Sequence, residues 1–389
     1  MSISALLRLT PVLALLALFS GCQNAPKLGP NYREFAYVTN GDSDTVTAID
    51  LRGLRVAATI HVGKSPTGIA TSPTKNEIYV ANTDSNNISV IDAETNKVVS
   101  IIGVHRAPFS VDVSTDGNRA YVANSGSANL SVIDLNQRKV IRTIQVGDGS
   151  SLARSTRDGK LVLVTLRNED SVAVIDAGKL SVRSKIKVCA KPEEIGLLPD
   201  SSKAFITCGA SDQVAVVDLK HDSLLALLDV GKTPIYVGVK PDGGEVFVCN
   251  FNSSSVSEII TNSNEVNGSF LIGNQPVRAL VSPDNTLLFV SNFGSDSVAV
   301  YSIDNGKRIG SADVGSHPEA LALSPNQLML LVVNTASGDL TALELTDSRG
   351  QPRGENGQQR SQIFPVATMI PLGKSPRAIV VKAFVSQRY

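Results

Sequence analysis

A small set of side chains in this sequence is out of keeping with its surroundings. Arg106, Asp112, Arg154, Arg278 and Arg377 carry charge, and Glu193, His317 and Glu319 are groups that can take up or release protons. Phe109 and Tyr236 add two rings to the set. Arg106 apart, whose column also holds Lys64, Asp148, Lys232 and Lys374, they stand where other segments of the chain hold small or apolar residues, and departures from a local rule tend to mark function or strain. Asp112 and Arg154 are the most specific pair. They occupy equivalent positions of successive segments, so opposite charges face one another, either as a clamp for a ligand or as a structural salt bridge.

Other groups point less clearly to chemistry. Asp50, Asp92, Asp134, Asp176 and Asp218 recur where apolar runs end, as expected of side chains that cap turns. Asn40, Asn82, Asn124, Asn250, Asn292 and Asn334 recur likewise, and are expected to bond their own backbone in tight loops. Asp42 and Asp44 resemble half a calcium loop without its glycine and distal glutamate. The four histidines are scattered, and there is no His-x-x-His, Cys-x-x-Cys or haem-attachment spacing. No nucleophile elbow, glycine-rich phosphate loop or metalloprotease motif occurs. The expectation is a chain without a metal site or resident cofactor.

These side chains must be positioned by a repeat. Tyr79-Val80-Ala81-Asn82 returns as Tyr121-Val122-Ala123-Asn124, 42 residues later. Phe205-Ile206-Thr207, Phe247-Val248-Cys249-Asn250 and Phe289-Val290-Ser291-Asn292 continue the step, and Tyr37-Val38-Thr39-Asn40 precedes it. Within one unit, Ser65 to Ala70, Glu77 to Asn82, Ile88 to Asp92 and Lys97 to Val104 form four β-branched runs separated by turn residues. Such a unit leaves no room for a helix, and near-continuous apolar strands imply sheets covered on both faces. Four-stranded units of this length, repeated, are expected to stack as propeller blades.

The Tyr-Val-Thr-Asn signature and the Ser-Pro-x-x-Ile-Ala…Tyr-Val-Ala-Asn pattern resemble the YVTN-type β-propeller repeat family. That resemblance runs from about residue 35 to residue 384. It implies an all-β fold of four-stranded blades, while saying little about function. Seven complete units begin at Lys64, Arg106, Asp148, Ala190, Lys232, Asn274 and Ser316. Residues 35–63 hold only three strands of another, and Ser375 to Val381 supplies the missing one. The expectation is therefore eight blades, closed by a composite blade from both termini, with residues 35–389 as one domain. The last unit is longer, and residues 346–364 read as a polar loop inserted between its third and fourth strands.

The N-terminus is read separately. Arg8, the apolar run Pro11 to Phe19 and the ending Leu18-Phe19-Ser20-Gly21-Cys22 resemble a lipoprotein signal peptide. On that reading residues 1–21 are removed, Cys22 is lipidated and residues 22–34 are a tether. Stable anchoring needs more than one acyl chain, and a triacylated cysteine meets that requirement. Gln23, which is not aspartate, favours the outer membrane facing the periplasm. Beyond Cys22 only Cys189, Cys208 and Cys249 remain, so the fold does not depend on a disulfide framework. Cys208 and Cys249 end strands of adjacent blades; buried free thiols are the expectation, with a bond between these two as the alternative.

Lys+Arg and Asp+Glu balance at 36 each, which gives no bulk attraction to a polyanion. With no tryptophan and few aromatics, stacking on bases is disfavoured, and nucleic acid is not an expected partner. In a propeller, the segments leading into the innermost strands form a channel mouth with the turns after the second strands. Aligning the units puts Arg106 and His317 at that mouth and Phe109, Glu193, Glu194, Tyr236, Arg278, Glu319 and Arg377 just inside. The leading expectation is a non-catalytic binding or scaffolding module, receiving an envelope protein or a small molecule there. The rival is a hydrolase. Resemblance to lactonase-like propellers would imply Glu193, Glu319, His317 and Arg278 as acid, base and anion-binding groups. A cofactor-carrying propeller is the third class.

Overall fold

In the computed structural model, which describes residues 29–345 and 362–386, the strands form eight antiparallel sheets of four core strands each. Numbering the composite sheet as blade 1, it is built from Pro376–Val385 innermost, then Tyr32–Asn40, Thr45–Asp50 and Arg55–His61. The innermost strands of blades 2 to 8 are Pro66–Thr71, Pro108–Val113, Ser150–Ser155, Pro192–Leu197, Pro234–Val239, Pro276–Val281 and Pro318–Leu323. Each touches the next, and Pro376–Val385 closes the ring between blades 8 and 2. The all-β, eight-bladed expectation is met. Single 3₁₀ turns at Gly41–Ser43, Phe251–Ser253 and Phe293–Ser295 interrupt the strands at the mouth.

The apolar pattern explains why the blades stack. Leu161–Leu166 of blade 4 is buried at every position, because blades cover both its faces. The outermost strand Lys97–Gly103 instead alternates exposed residues with ones that are partly buried or, at Ile102, buried. The core accordingly lies between blades: Tyr121, Leu130 and Val132 of blade 3 pack with Val162, Val164 and Ile175 of blade 4. Burying each Val or Leu contributes about 1.5–3 kcal/mol. The recurring aromatic column (Tyr37, Tyr79, Tyr121, Phe205, Phe247, Phe289) is fully buried, so it serves packing.

The recurring asparagines act differently from the expectation. Asn82 Nδ2 donates to Asn87 and Ser89 on the neighbouring third strand at 2.8 and 2.9 Å, and Asn40 donates to Thr45 and Thr47 in the same way. Asn124, Asn250 and Asn334 do likewise, so these buried side chains tie two strands together instead of bonding only their own turn, whereas Asn292 donates to the Ile272 carbonyl. The aspartates do cap turns: Asp134 Oδ1 accepts from the backbone N–H of Asn136 and Gln137.

Three further expectations are corrected, two of them boundaries. The first strand begins at Tyr32, inside the segment expected to be tether, because Tyr32, Arg33 and Glu34 pair with Val385, Phe384 and Ala383 of the long terminal strand. The insertion expected over 346–364 is not loop to its end. Gln362–Ile363 adds a fifth strand parallel to the edge of blade 7 at Gly310 and Ser311, and Phe364 is buried beside Phe289. Residues 346–361 lie outside the described residues, as do the signal-peptide segment and Cys22.

The cysteines are the third correction. Cys208 is bonded to Cys189 with their Cα atoms 5.6 Å apart, and Cys249 is free and buried. The alternative bond, Cys208 with Cys249, is not formed because Cys208 is taken by Cys189 within its own blade.

Candidate functional site

The mouth is built by a regular handover between neighbouring blades. Residues leading into the innermost strands adopt positive φ, including Ser65, Ala107, Lys191, Thr233 and His317. Their backbone N–H groups donate to side chains on the preceding blade: Ser65 to Asp44, Lys191 to Asp170, Thr233 to Asp212, His317 to Asp296. Asp44 is thereby a loop tie. Thr83 and Thr335, on the turns after second strands, reach over to the carbonyls of Pro108 and Pro376 in the next blade. The rim is held by backbone geometry, which leaves the inward side chains free to vary.

On this frame a charged wall runs across blades 3 to 7. Glu194 on the innermost strand of blade 5 is its centre. Oε1 accepts from Arg154 Nη2 of blade 4 at 3.3 Å, and Oε2 lies 3.6 Å from Arg278 Nη1 of blade 7. Arg278 crosses the blade between them by lying over the ring of Tyr236, its Cζ 4.5 Å from the centroid. This is a cation–π contact in addition to the ion pair. Burial pushes the Tyr236 hydroxyl up from its ordinary value, against the pull of Arg278. Burial opposes the charge of Arg154, but Glu194 and Asp112 outweigh it and hold the guanidinium above its ordinary value.

Asp112 and Arg154 share this wall without bonding directly. Asp112 Oδ2 accepts from the Ser155 backbone N–H at 2.8 Å and from its hydroxyl at 2.5 Å, while Arg154 turns to Glu194. Burial raises the Asp112 carboxyl above its usual range, and Arg154 and Ser155 counter part of that. The two expected partners therefore attract through space, each satisfied by another neighbour.

Glu193 forms a second pair at the rim, 2.7 Å from Arg167 Nη2. Its carboxyl is raised by burial, with Arg167 and Lys191 pulling the other way. On the far side, His317 stacks on Phe293 at 4.1 Å and 18°, and Phe293 leans on Phe251 at 6.2 Å. Glu319 accepts from the Thr335 hydroxyl at 2.8 Å. Phe109, Arg106 and Arg377 are exposed. The structure thus brings Arg154, Glu194, Tyr236 and Arg278 together with Asp112 beside them. Glu193, His317, Glu319 and Arg278 have separate partners and form no single acid–base set.

Sequence reasoning missed Arg167, Phe251 and Phe293, although the signal was present. They share one column of the repeat with Gly41, Thr83, Ser125, Gly209 and Thr335, where a large side chain is an exception. Glu194 was placed just inside the mouth; its position between two arginines belongs to tertiary structure.

Comparison with known families agrees with this architecture. A YNCE-like β-propeller model matches residues 33–154, and a seven-bladed lactonase β-propeller model matches residues 263–362. The chain is a β-propeller repeat protein. Its eight blades exceed the lactonase model's seven, and the lactonase match includes Arg278, His317 and Glu319 in their unconnected settings. No curated protein matches the sequence. Among solved structures, this propeller is similar to Kuenenia stuttgartiensis hydrazine synthase. There the identity is 20% over 68% of this chain and 91% of that one, with a TM-score of 0.58. It is also similar to dihydro-heme d1 dehydrogenase NirN in complex with DHE. In that case identity is 13% over 89% of this chain and 74% of the other, with a TM-score of 0.73. At these identities the likeness is one of fold.

Proposed function

We propose that this propeller is a binding module of the cell envelope, anchored through lipidated Cys22 to the outer membrane and facing the periplasm. Its channel mouth takes a partner or small molecule through an acceptor-bearing group, such as a carboxylate. One observation carries the reading: both Glu194 oxygens are engaged, by Arg154 and Arg278, while Asp112 is engaged by Ser155. A guanidinium has five N–H donors, so the spare capacity of this wall is donor capacity. Arg154 and Arg278 remain 38% and 33% exposed at their side chains, enough to be reached from the channel. Cys189–Cys208 supports an extracytoplasmic setting, since structural disulfides persist in oxidising compartments.

The test is a cross-linked capture from the protein's own membranes, with wild type beside an Arg154→Gln, Arg278→Gln variant. A stoichiometric protein, or a co-purifying acidic small molecule, that is lost with the variant supports the reading. Capture that is equal with both forms removes the wall from binding, and lactone hydrolysis by the purified wild type would favour the hydrolase instead.

A further inference from the structure

The disulfide stands in for a contact that five of the other blades make without covalent bonds. Five blades place a glycine just before the innermost strand against the asparagine that ends the second strand: Gly63 on Asn82, Gly231 on Asn250, Gly273 on Asn292, Gly315 on Asn334 and Gly373 on Asn40. The approach is so close that a Cβ at Gly63 or Gly231 would lie 2.7 Å from the asparagine Cβ. In blade 5 the two columns hold Cys189 and Cys208, and the pair is bonded.

The substitution removes the non-covalent anchor as well. Asn250 Nδ2 donates to Ser255 and Ser257 on its third strand, at 3.1 and 2.9 Å. The matching positions in blade 5 are Gln213, whose amide is turned to Asp229, and Ala215, which has nothing to offer. Without its S–S bond, blade 5 therefore has neither the close glycine contact nor the asparagine tie. The segment so held, Cys189 to Glu194, delivers Glu193 to Arg167 and Glu194 to Arg154 and Arg278. The Glu194 N–H also donates to Thr207, the neighbour of Cys208, at 3.1 Å.

We propose that the charged wall is under thiol control: the Cys189–Cys208 bond holds the segment that positions Glu194, and its cleavage releases it. The reaction is thiol–disulfide exchange with a dithiol reductant. One reductant thiolate attacks a sulfur of the pair, and the second closes the reductant to its own disulfide. Cys189 and Cys208 are left as thiols. Cys189, at 5% exposure against 0% for Cys208, is the more accessible residue of the pair, and the attack falls on its side. The loosening follows from the fold alone; its consequence for binding rests on the function proposed above.

The experiment is amide hydrogen exchange on the full chain, oxidised and after dithiothreitol. Peptides covering 189–197 are expected to exchange at least tenfold faster once reduced, while those covering 231–239 of blade 6 keep their rate. Unchanged protection over 189–197, or an equal rise in every blade, would overturn the proposal. A Cys189→Gly, Cys208→Asn, Ala215→Ser variant rebuilds the non-covalent anchor and should be indifferent to dithiothreitol; a response equal to wild type also counts against it. Capturing the same partner with reduced protein whose 189–197 segment has loosened would sink only the binding consequence.

Discussion

Glu194 of blade 5 and Arg278 of blade 7 approach to 3.6 Å across the ring of Tyr236, which belongs to blade 6. Three blades are thus joined through side chains at the channel wall, with Arg154 of blade 4 on the other carboxylate oxygen. Removing Glu194 leaves two guanidiniums without their common counter-charge.

Glu194→Ala is expected to lower stability by about 2 kcal/mol, below the ~3–5 kcal/mol of a fully buried pair because solvent reaches both arginines. Glu194→Gln keeps an acceptor and should lose less. Chemical denaturation of the three proteins checks the order; a Glu194→Ala protein as stable as wild type would show that the wall does not hold the blades together.

Gly63 and Asn82 offer a test of the repeat's close contact. Asn82 is fixed by its bonds to Asn87 and Ser89, so Gly63→Ala has no room to give and should cost about 1–3 kcal/mol. Gly103, with nothing within 4 Å of a built Cβ, is the control, and its change to alanine should stay within about 0.5 kcal/mol. Equal melting temperatures for the two variants would remove the steric argument.

Phe364 is 2% exposed in the core shared by Phe289, Val300 and Leu330. Phe364→Ala should cost about 3–5 kcal/mol. A loss of under about 1 kcal/mol would mean that the end of the insertion is a loop after all.

Acid should destabilise the fold through its turn aspartates. Asp116 is held below the usual carboxylate range by the Ser114 hydroxyl and the Asn118 N–H, and Asp218 by His221. Their folded values lie below the unfolded 3.8, so the stability they contribute is present above that pH and lost as pH falls through the folded values. Asp112 runs the opposite way. Its raised value makes its contribution complete at low pH and lost as pH rises through the folded value, which partly offsets the aspartates. Melting curves from about pH 6 down to pH 3 should fall, and fall less steeply in Asp116→Asn.

Much of the architecture was legible because a propeller blade is a local object. Four strands joined by short turns are written in one stretch of chain, and their period-two and continuous apolar patterns repeat every 42 residues. The composite blade could be read for the same reason: strands missing at one end were found at the other. The paired termini extended further than the repeat indicated, since Tyr32 to Glu34 gain partners only from the terminal strand.

The sequence by itself determined the all-β class, the blade count and the closure, because each follows from a column of the repeat. Tertiary structure decided which of those side chains meet. Arg154 could pair with Asp112 or Glu194, and Arg278 reaches Glu194 only by passing over Tyr236. Long side chains on neighbouring blades each have several partners within reach, and the choice depends on rotamers and burial that no spacing encodes. The cysteine pairing was settled in the same way: the close approach that other blades make between glycine and asparagine brings the Cys189 and Cys208 positions together, and Cys249 is left free.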